Sequence, residues 1–191
     1  MKALAIAAAV GALFSGTVLA QQGTVQRDVN QQNRIEQGLK SGELTTGEAA
    51  RLEREQSKIQ RDQARAMKDG TLTPAEKARL SREQNRASRD INRERHGAQT
   101  GNPNSASSRR MQADVQRNAN QQRRIENGVK SGQLTDRETA RLERGESRVE
   151  RREARAGRDG RVGAGEQARI QSAETKESRR IRRQKHDAQT K

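Results

Sequence analysis

The chain repeats itself, and the repeat sets what it can fold into. Residues 25–100 and 115–190 align without a gap at an offset of 90, and 39 of those 76 pairs are identical. Arg34-Ile35-Glu36 returns as Arg124-Ile125-Glu126, and Ala50-Arg51-Leu52-Glu53-Arg54 as Ala140-Arg141-Leu142-Glu143-Arg144. His96 and Ala98-Gln99-Thr100 return as His186 and Ala188-Gln189-Thr190. Between the copies, Gly101-Asn102-Pro103-Asn104-Ser105-Ala106-Ser107-Ser108 is built of loop formers. This organisation predicts two equivalent modules, 21–100 and 115–191, joined by a flexible linker over 101–114.

A shorter repeat lies inside each module and reads as helix punctuation. Gly42-Glu43-Leu44-Thr45-Thr46-Gly47-Glu48 matches Gly70-Thr71-Leu72-Thr73-Pro74-Ala75-Glu76, and module two keeps Gly132-Gln133-Leu134-Thr135-Asp136-Arg137-Glu138. Thr45 and Thr73 sit where an N-cap hydroxyl accepts from the first turn, and Glu48 and Glu76 follow three residues later to complete a capping box. Pro74 falls at the first helical position, where its missing N–H costs nothing. Gly42 and Gly70 stand where the preceding helix must stop in a left-handed conformation. The fourth copy is eroded to Gly160-Arg161-Val162-Gly163-Ala164-Gly165-Glu166. The expected helices are about 24–40, 46–68 and 74–97, and the same plus 90. Short turns make neighbours antiparallel. The predicted fold is therefore all-α, two tandem copies of a three-helix, coiled-coil-like module.

The same turn also resembles the second half of an EF-hand loop, with Asp69, Gly70, an aliphatic and Glu76 in the final ligand position. The resemblance implies a calcium-responsive loop. The two leading ligand positions, however, are Arg65 and Met67, and in the second copy Arg155 and Gly157, none with a side-chain oxygen to offer. A C-cap followed by an N-cap explains every residue, so no metal or other cofactor is expected.

The core has little to draw on. In the second helix Ala49, Leu52, Gln56, Ile59, Gln63 and Ala66 are spaced as a heptad seam, and Lys77, Leu80, Gln84, Ala87, Ile91 and Glu94 continue it in the third. Gln and Ala separate isolated aliphatics, so a bundle on this seam is marginal, and the seam offers a surface for self-association. Cysteine is absent, which removes disulfides, zinc–thiolate sites and cysteine nucleophiles.

The first twenty residues read as a secretory signal, with Lys2 as the positive n-region, Ala3 to Leu13 as an uncharged apolar run, and Val18-Leu19-Ala20 as the peptidase site. Cleavage after Ala20 removes Phe14, the only aromatic residue, and Lys2, so the net charge of +15 becomes +14. The apolar run is short for a membrane span and nothing later is apolar enough, so no transmembrane segment is expected after cleavage. The expected location is a bacterial periplasm or outside the cell.

The face opposite the seam carries cations. Arg51, Arg54, Lys58, Arg61, Arg65 and Lys68 recur every three or four residues on the second helix. Arg79, Arg82, Arg86, Arg89 and Arg93 do so on the third, and Arg141, Arg144, Arg148, Arg151, Arg155 and Arg158 in module two. Lys176, Arg179, Arg183 and His186 keep part of the pattern in the last helix. Each stripe spans about 25 Å at the helical rise. Such a face suits phosphate and carboxylate, which arginine can grip bidentately. Candidate partners are lipopolysaccharide, anionic lipid headgroups, nucleic acid and acidic polysaccharide, bound without sequence selectivity because no aromatic platform remains to read bases.

Catalysis is not expected. Two histidines at equivalent helix ends cannot build a triad, and His96 and His186 suit C-terminal helix caps. The many Glu residues stand beside Arg in the sequence and read as ion-pair partners. The chain is hydrophilic, Gly-containing and Cys-free, and in composition resembles the hydrophilins and late-embryogenesis-abundant-type stress proteins. That resemblance implies a structural or protective role as the alternative to polyanion binding.

Overall fold

The computed structural model describes the backbone of residues 15–186 and the side chains of residues 21–186. It is all-helical in the order α1 (Ser15–Ser41), α2 (Thr46–Ala66), α3 (Pro74–Arg95), α4 (Ala106–Lys130), α5 (Asp136–Ala156) and α6 (Ala164–His186), with a 3₁₀ turn at Gly157–Asp159. The expected leader, 1–20, lies outside the described residues except for the backbone of its last six, which begins α1. Among the described residues no helix is long and apolar enough to cross a membrane.

The punctuation acts as its chemistry dictates. Capping boxes close at Thr45–Glu48, Thr73–Glu76 and Thr135–Glu138. The eroded fourth copy retains half of one, since the Gly163 N–H donates to Glu166 at 2.9 Å. Gly42, Gly70, Gly132 and Gly160 all have φ between 74° and 90°, a region that a side chain with a Cβ resists.

Two boundaries differ from expectation. Helix α4 begins at Ala106 rather than near 114, because the Ser105 side chain caps it by accepting from the Ser108 N–H. Much of the expected linker is thus the first turns of a helix. The remainder folds back on the first repeat: the Gly101 N–H donates to the Gly42 carbonyl at 2.8 Å. A Cβ at Gly101 would overlap the Leu44 carbonyl, so only glycine fits there.

The larger difference is in the core. The two repeats do not keep separate interiors. One apolar cluster joins Ile35, Leu39, Leu44 and Leu52 to Met111, Val115, Val162 and Ile170, and another joins Val25 to Ile125, Val129, Leu142 and Ile181. Helix α2 packs antiparallel on α5, and α1 on α4, while α3 and α6 flank the four. Residues 90 apart meet at the centre. The Ser57 hydroxyl donates to the Ser147 carbonyl at 2.8 Å and the Ser147 hydroxyl to the Ser57 carbonyl at 2.9 Å. This reciprocal pair marks a pseudo-twofold axis between the repeats, and the Gln60–Glu150 hydrogen bond lies beside it. The physical cause is the thin seam: one repeat has too little apolar surface for a core, so each completes its core with the other. The seam from Ala49 to Ala66 is accordingly buried within the chain.

The interior that results is polar in its middle. Glu53, Glu143, Glu146, Glu150 and Glu153 are fully covered, among Gln32, Gln56, Gln60, Gln122 and Asn118. This corrects the expectation that these acids pair with arginine. Gln32 and Asn118 donate to Glu53 at 3.2 and 3.4 Å, Asn118 to Glu153 at 2.6 Å, and Gln122 to Glu143 at 3.2 Å. Neither carboxyl oxygen of Glu146 has a hydrogen-bond partner. Burial pushes Glu53 up to about 8 and holds Glu143, Glu146, Glu150 and Glu153 well above the usual carboxylate range.

Candidate functional site

Antiparallel packing turns the separate stripes into one surface. A cation every three or four residues keeps to one side of a helix. Helices α2 and α5 lie side by side with their stripes outward, and α3 and α6 border them. Across the pseudo-twofold axis, Arg61 and Arg151 approach each other. Burial first, and then the guanidiniums of Arg61, Arg155, Arg148 and Arg152, lower the Arg151 pKa below the ordinary arginine value. The gathering is thus electrostatically unfavourable in the free protein and would be relieved by an anion.

Two grooves flank this ridge. The first, of about 480 Å³, lies between α2 and α3 and is lined by Lys58, Arg82, Arg86 and Arg89, with Arg79, Glu55 and Glu83. The second, of about 410 Å³, lies between α5 and α6 and is lined by Arg141, Arg144, Arg148, Arg180, Arg183 and Gln184. Arg183 also borders a shallow depression with Arg179, Arg182 and His186.

The expected site residues divide by their neighbours. Arg51 reaches Glu94 at 3.1 Å and Glu48 at 3.8 Å. Arg65 and Arg79 share Asp62, at 3.2 and 3.3 Å, and Arg79 also meets Glu83 at 3.3 Å. Arg93 pairs with Asp90 at 2.6 Å. These four are partly neutralised in place. Arg54, Lys58, Arg82, Arg86, Arg89, Arg141, Arg144, Arg148 and Arg155 are exposed, with no carboxylate at ion-pair distance among the described residues. Lys68 and Arg158 lie past the ends of α2 and α5, in the turns, and extend the face at its margins. Arg61 is half-buried and its Nε donates to the Ser57 carbonyl at 3.2 Å.

The sequence reading passed over Arg180, which stands four residues after Lys176 and three before Arg183, at the stripe's own spacing, and whose counterpart 90 residues earlier is Asp90, an acid. The calcium-loop resemblance meets other chemistry: Asp69 accepts from the Thr71 N–H at 3.0 Å, and Glu76 accepts from the Thr73 N–H and hydroxyl at 3.0 and 2.7 Å. Those oxygens close the turn and the cap. His96 is the C-cap of α3, with its Nδ1 2.8 Å from the Asn92 carbonyl.

No family model matches the chain, and neither the curated proteins nor the solved structures include a detectable match.

Proposed function

We propose that this is an exported, non-enzymatic protein, built as two tandem three-helix modules, that binds anionic polymers or surfaces through the basic face of α2, α3, α5 and α6. The observation that carries the reading is the convergence of the stripes. Cations from neighbouring helices line common grooves, and most of them have no acid within ion-pair distance among the described residues. An ordinary solvated face mixes signs and satisfies its arginines locally. Guanidinium forks fixed on helices can hold phosphate, sulfate or carboxylate oxygens bidentately at little entropic cost. The pseudo-twofold arrangement sets cations from both repeats on one face, which adds avidity toward a polymer or a membrane. Export rests on Lys2, the apolar run and Val18-Leu19-Ala20. Competition on immobilised heparin tests the binding: DNA and lipopolysaccharide should each release the protein, and retention that neither anion displaces would contradict the reading.

A stress-protective role is the second reading, and the polar interior favours it. Unpaired oxygens on buried Gln and Glu, and apolar contacts limited to isolated aliphatics, give a fold whose order is easily conditional on its surroundings. Helix content that rises only on drying, and not with heparin, would favour this alternative.

A further inference from the structure

The residues that line the α5–α6 groove have counterparts 90 residues earlier, at 51, 54, 58, 90, 93 and 94, that do not carry equivalent charge. Glu55, Asp90 and Glu94 in the first repeat correspond to Gly145, Arg180 and Gln184 in the second. At the neighbouring position Ala87 changes the other way, to Glu177. Over the eight equivalent positions 51, 54, 55, 58, 87, 90, 93 and 94, the first repeat sets four cations against three acids, and the second five against one.

The geometry shows what each exchange does. At the corresponding place in the first repeat Arg51 and Arg93 are held by Glu94 and Asp90. Burial, and then the neighbouring Asp90 carboxyl, raise the Glu55 pKa. In the second groove Arg141, Arg144, Arg148 and Arg183 meet no carboxylate at ion-pair distance among the described residues, and Arg180 leans on Glu177 at 2.9 Å. Glu177 is itself withdrawn into the interior and occupies the space that a side chain at Gly145 would fill. The glycine therefore makes room for an inward acid and leaves the groove mouth to arginine.

We propose that the α5–α6 groove is a discrete site for clustered phosphoryl groups, and that the corresponding surface of the first repeat, at Arg51, Arg54, Asp90, Arg93 and Glu94, is its self-neutralised copy. This rests on the polyanion-binding reading and adds to it which repeat binds and what chemistry it takes. Arg141, Arg144 and Arg148 span about 10 Å along α5, and Arg180 and Arg183 face them from α6. A volume of about 410 Å³ admits a compact ligand. Several guanidinium forks within such a distance match two or more neighbouring phosphoryl groups better than a single carboxylate. The ligand is therefore a free polyphosphate or a multiply phosphorylated lipid headgroup.

Calorimetric titration of the full chain with tripolyphosphate tests the site, with vesicles of phosphatidylcholine and phosphatidylinositol bisphosphate as a second arm. The wild type should bind one tripolyphosphate per chain. Arg180→Asp with Gln184→Glu, which restores the first repeat's acids, should weaken binding by at least about tenfold. Arg54→Gln, Lys58→Gln and Arg89→Gln together remove the same net charge from the α2–α3 side, and should leave tripolyphosphate binding near wild type. In the opposite direction, Asp90→Arg with Glu94→Gln should raise the stoichiometry from one to two. Circular dichroism of each variant excludes loss of fold. Loss of vesicle binding in the α6 variant, with tripolyphosphate unbound by the wild type, would assign the site to a lipid headgroup. Equal weakening by both sets of substitutions overturns the discrete site, even where salt-sensitive heparin retention upholds the broader reading. Absence of heparin retention removes both.

Discussion

The buried acids make the fold depend on pH in a direction opposite to that of most proteins. Glu53 is fully covered by α1, α4 and α5, with Gln32 and Asn118 donating to one carboxyl oxygen and the other unpartnered. Burial pushes it up to about 8, with Asp114 adding to the rise, whereas in an unfolded chain a glutamate titrates near 4.3. Between those values the folded state binds the extra proton, so stability falls as pH rises. It is fully present below about pH 4 and lost as pH climbs through about 8. At about 1.4 kcal/mol per pKa unit, Glu53 alone accounts for roughly 5 kcal/mol across that window. That rivals the whole stability of a small domain, about 5–15 kcal/mol. Asp28, pushed up to about 7, and Glu174, up to about 8, shift the same way, both chiefly by burial. Urea melts followed by far-UV circular dichroism should give a midpoint that drops steadily from about pH 5 to about pH 9. Glu53→Gln keeps the volume and an acceptor for Gln32 while removing the titration, so it should flatten part of that slope. A midpoint that is constant or rises over this range would refute the reasoning, as would a Glu53→Gln slope equal to that of the wild type.

The turns give sharper local tests. Gly101→Ala forces a Cβ into the Leu44 carbonyl and should lower stability by about 1–3 kcal/mol in the same melts, whereas alanine at exposed Gly23, where a Cβ meets nothing within 4 Å, should raise it slightly in a helix. Thr135→Ala removes the cap of central α5 and should cost about 1 kcal/mol; Thr73→Ala at the exposed start of α3 should cost no more than that. Leu142→Ala empties a fully buried position in the shared cluster and should cost about 2–5 kcal/mol; native-state hydrogen exchange should then rise in α1 as well as in α5, since Val25 of α1 belongs to that cluster.

Local features of this fold were legible in sequence because each is written in neighbouring residues. Thr45 with Glu48, Thr73 with Glu76, and the glycines at 42, 70, 132 and 160 define their turns without reference to the rest of the chain. The seam from Ala49 to Ala66 and the stripe from Arg51 to Lys68 follow from helical periodicity alone. The partner of each face did not follow. Nothing in the spacing of Ser57 shows that it meets Ser147, because pairing between repeats is a choice among equivalent surfaces, settled by how much apolar area each arrangement covers. Glu53 and Glu143 flank Leu52 and Leu142 and adjoin arginine in sequence, so they read as surface ion-pair residues. They are buried because α2 and α5 are covered on two sides, by each other as well as by α1 and α4. Arg180 was legible, four residues after Lys176 and three before Arg183, but reading the last helix in register with the first repeat, where the position is Asp90, passes it over.

The central claim is that the convergent arginines form an anion-binding face, and the salt dependence of binding to duplex DNA tests it most directly. Each phosphate neutralised contributes a slope of about −0.9 to log affinity against log salt, so four contacts from one groove and the ridge beside it predict a slope near −3.6. Raising salt from about 50 to about 200 mM should then weaken binding by roughly a hundredfold. Changing Arg144, Arg148, Arg151 and Arg155 together to Gln, a fair helix former, should halve that slope or better while circular dichroism stays unchanged. A wild-type slope near zero, or one that the four substitutions leave intact, would contradict the account.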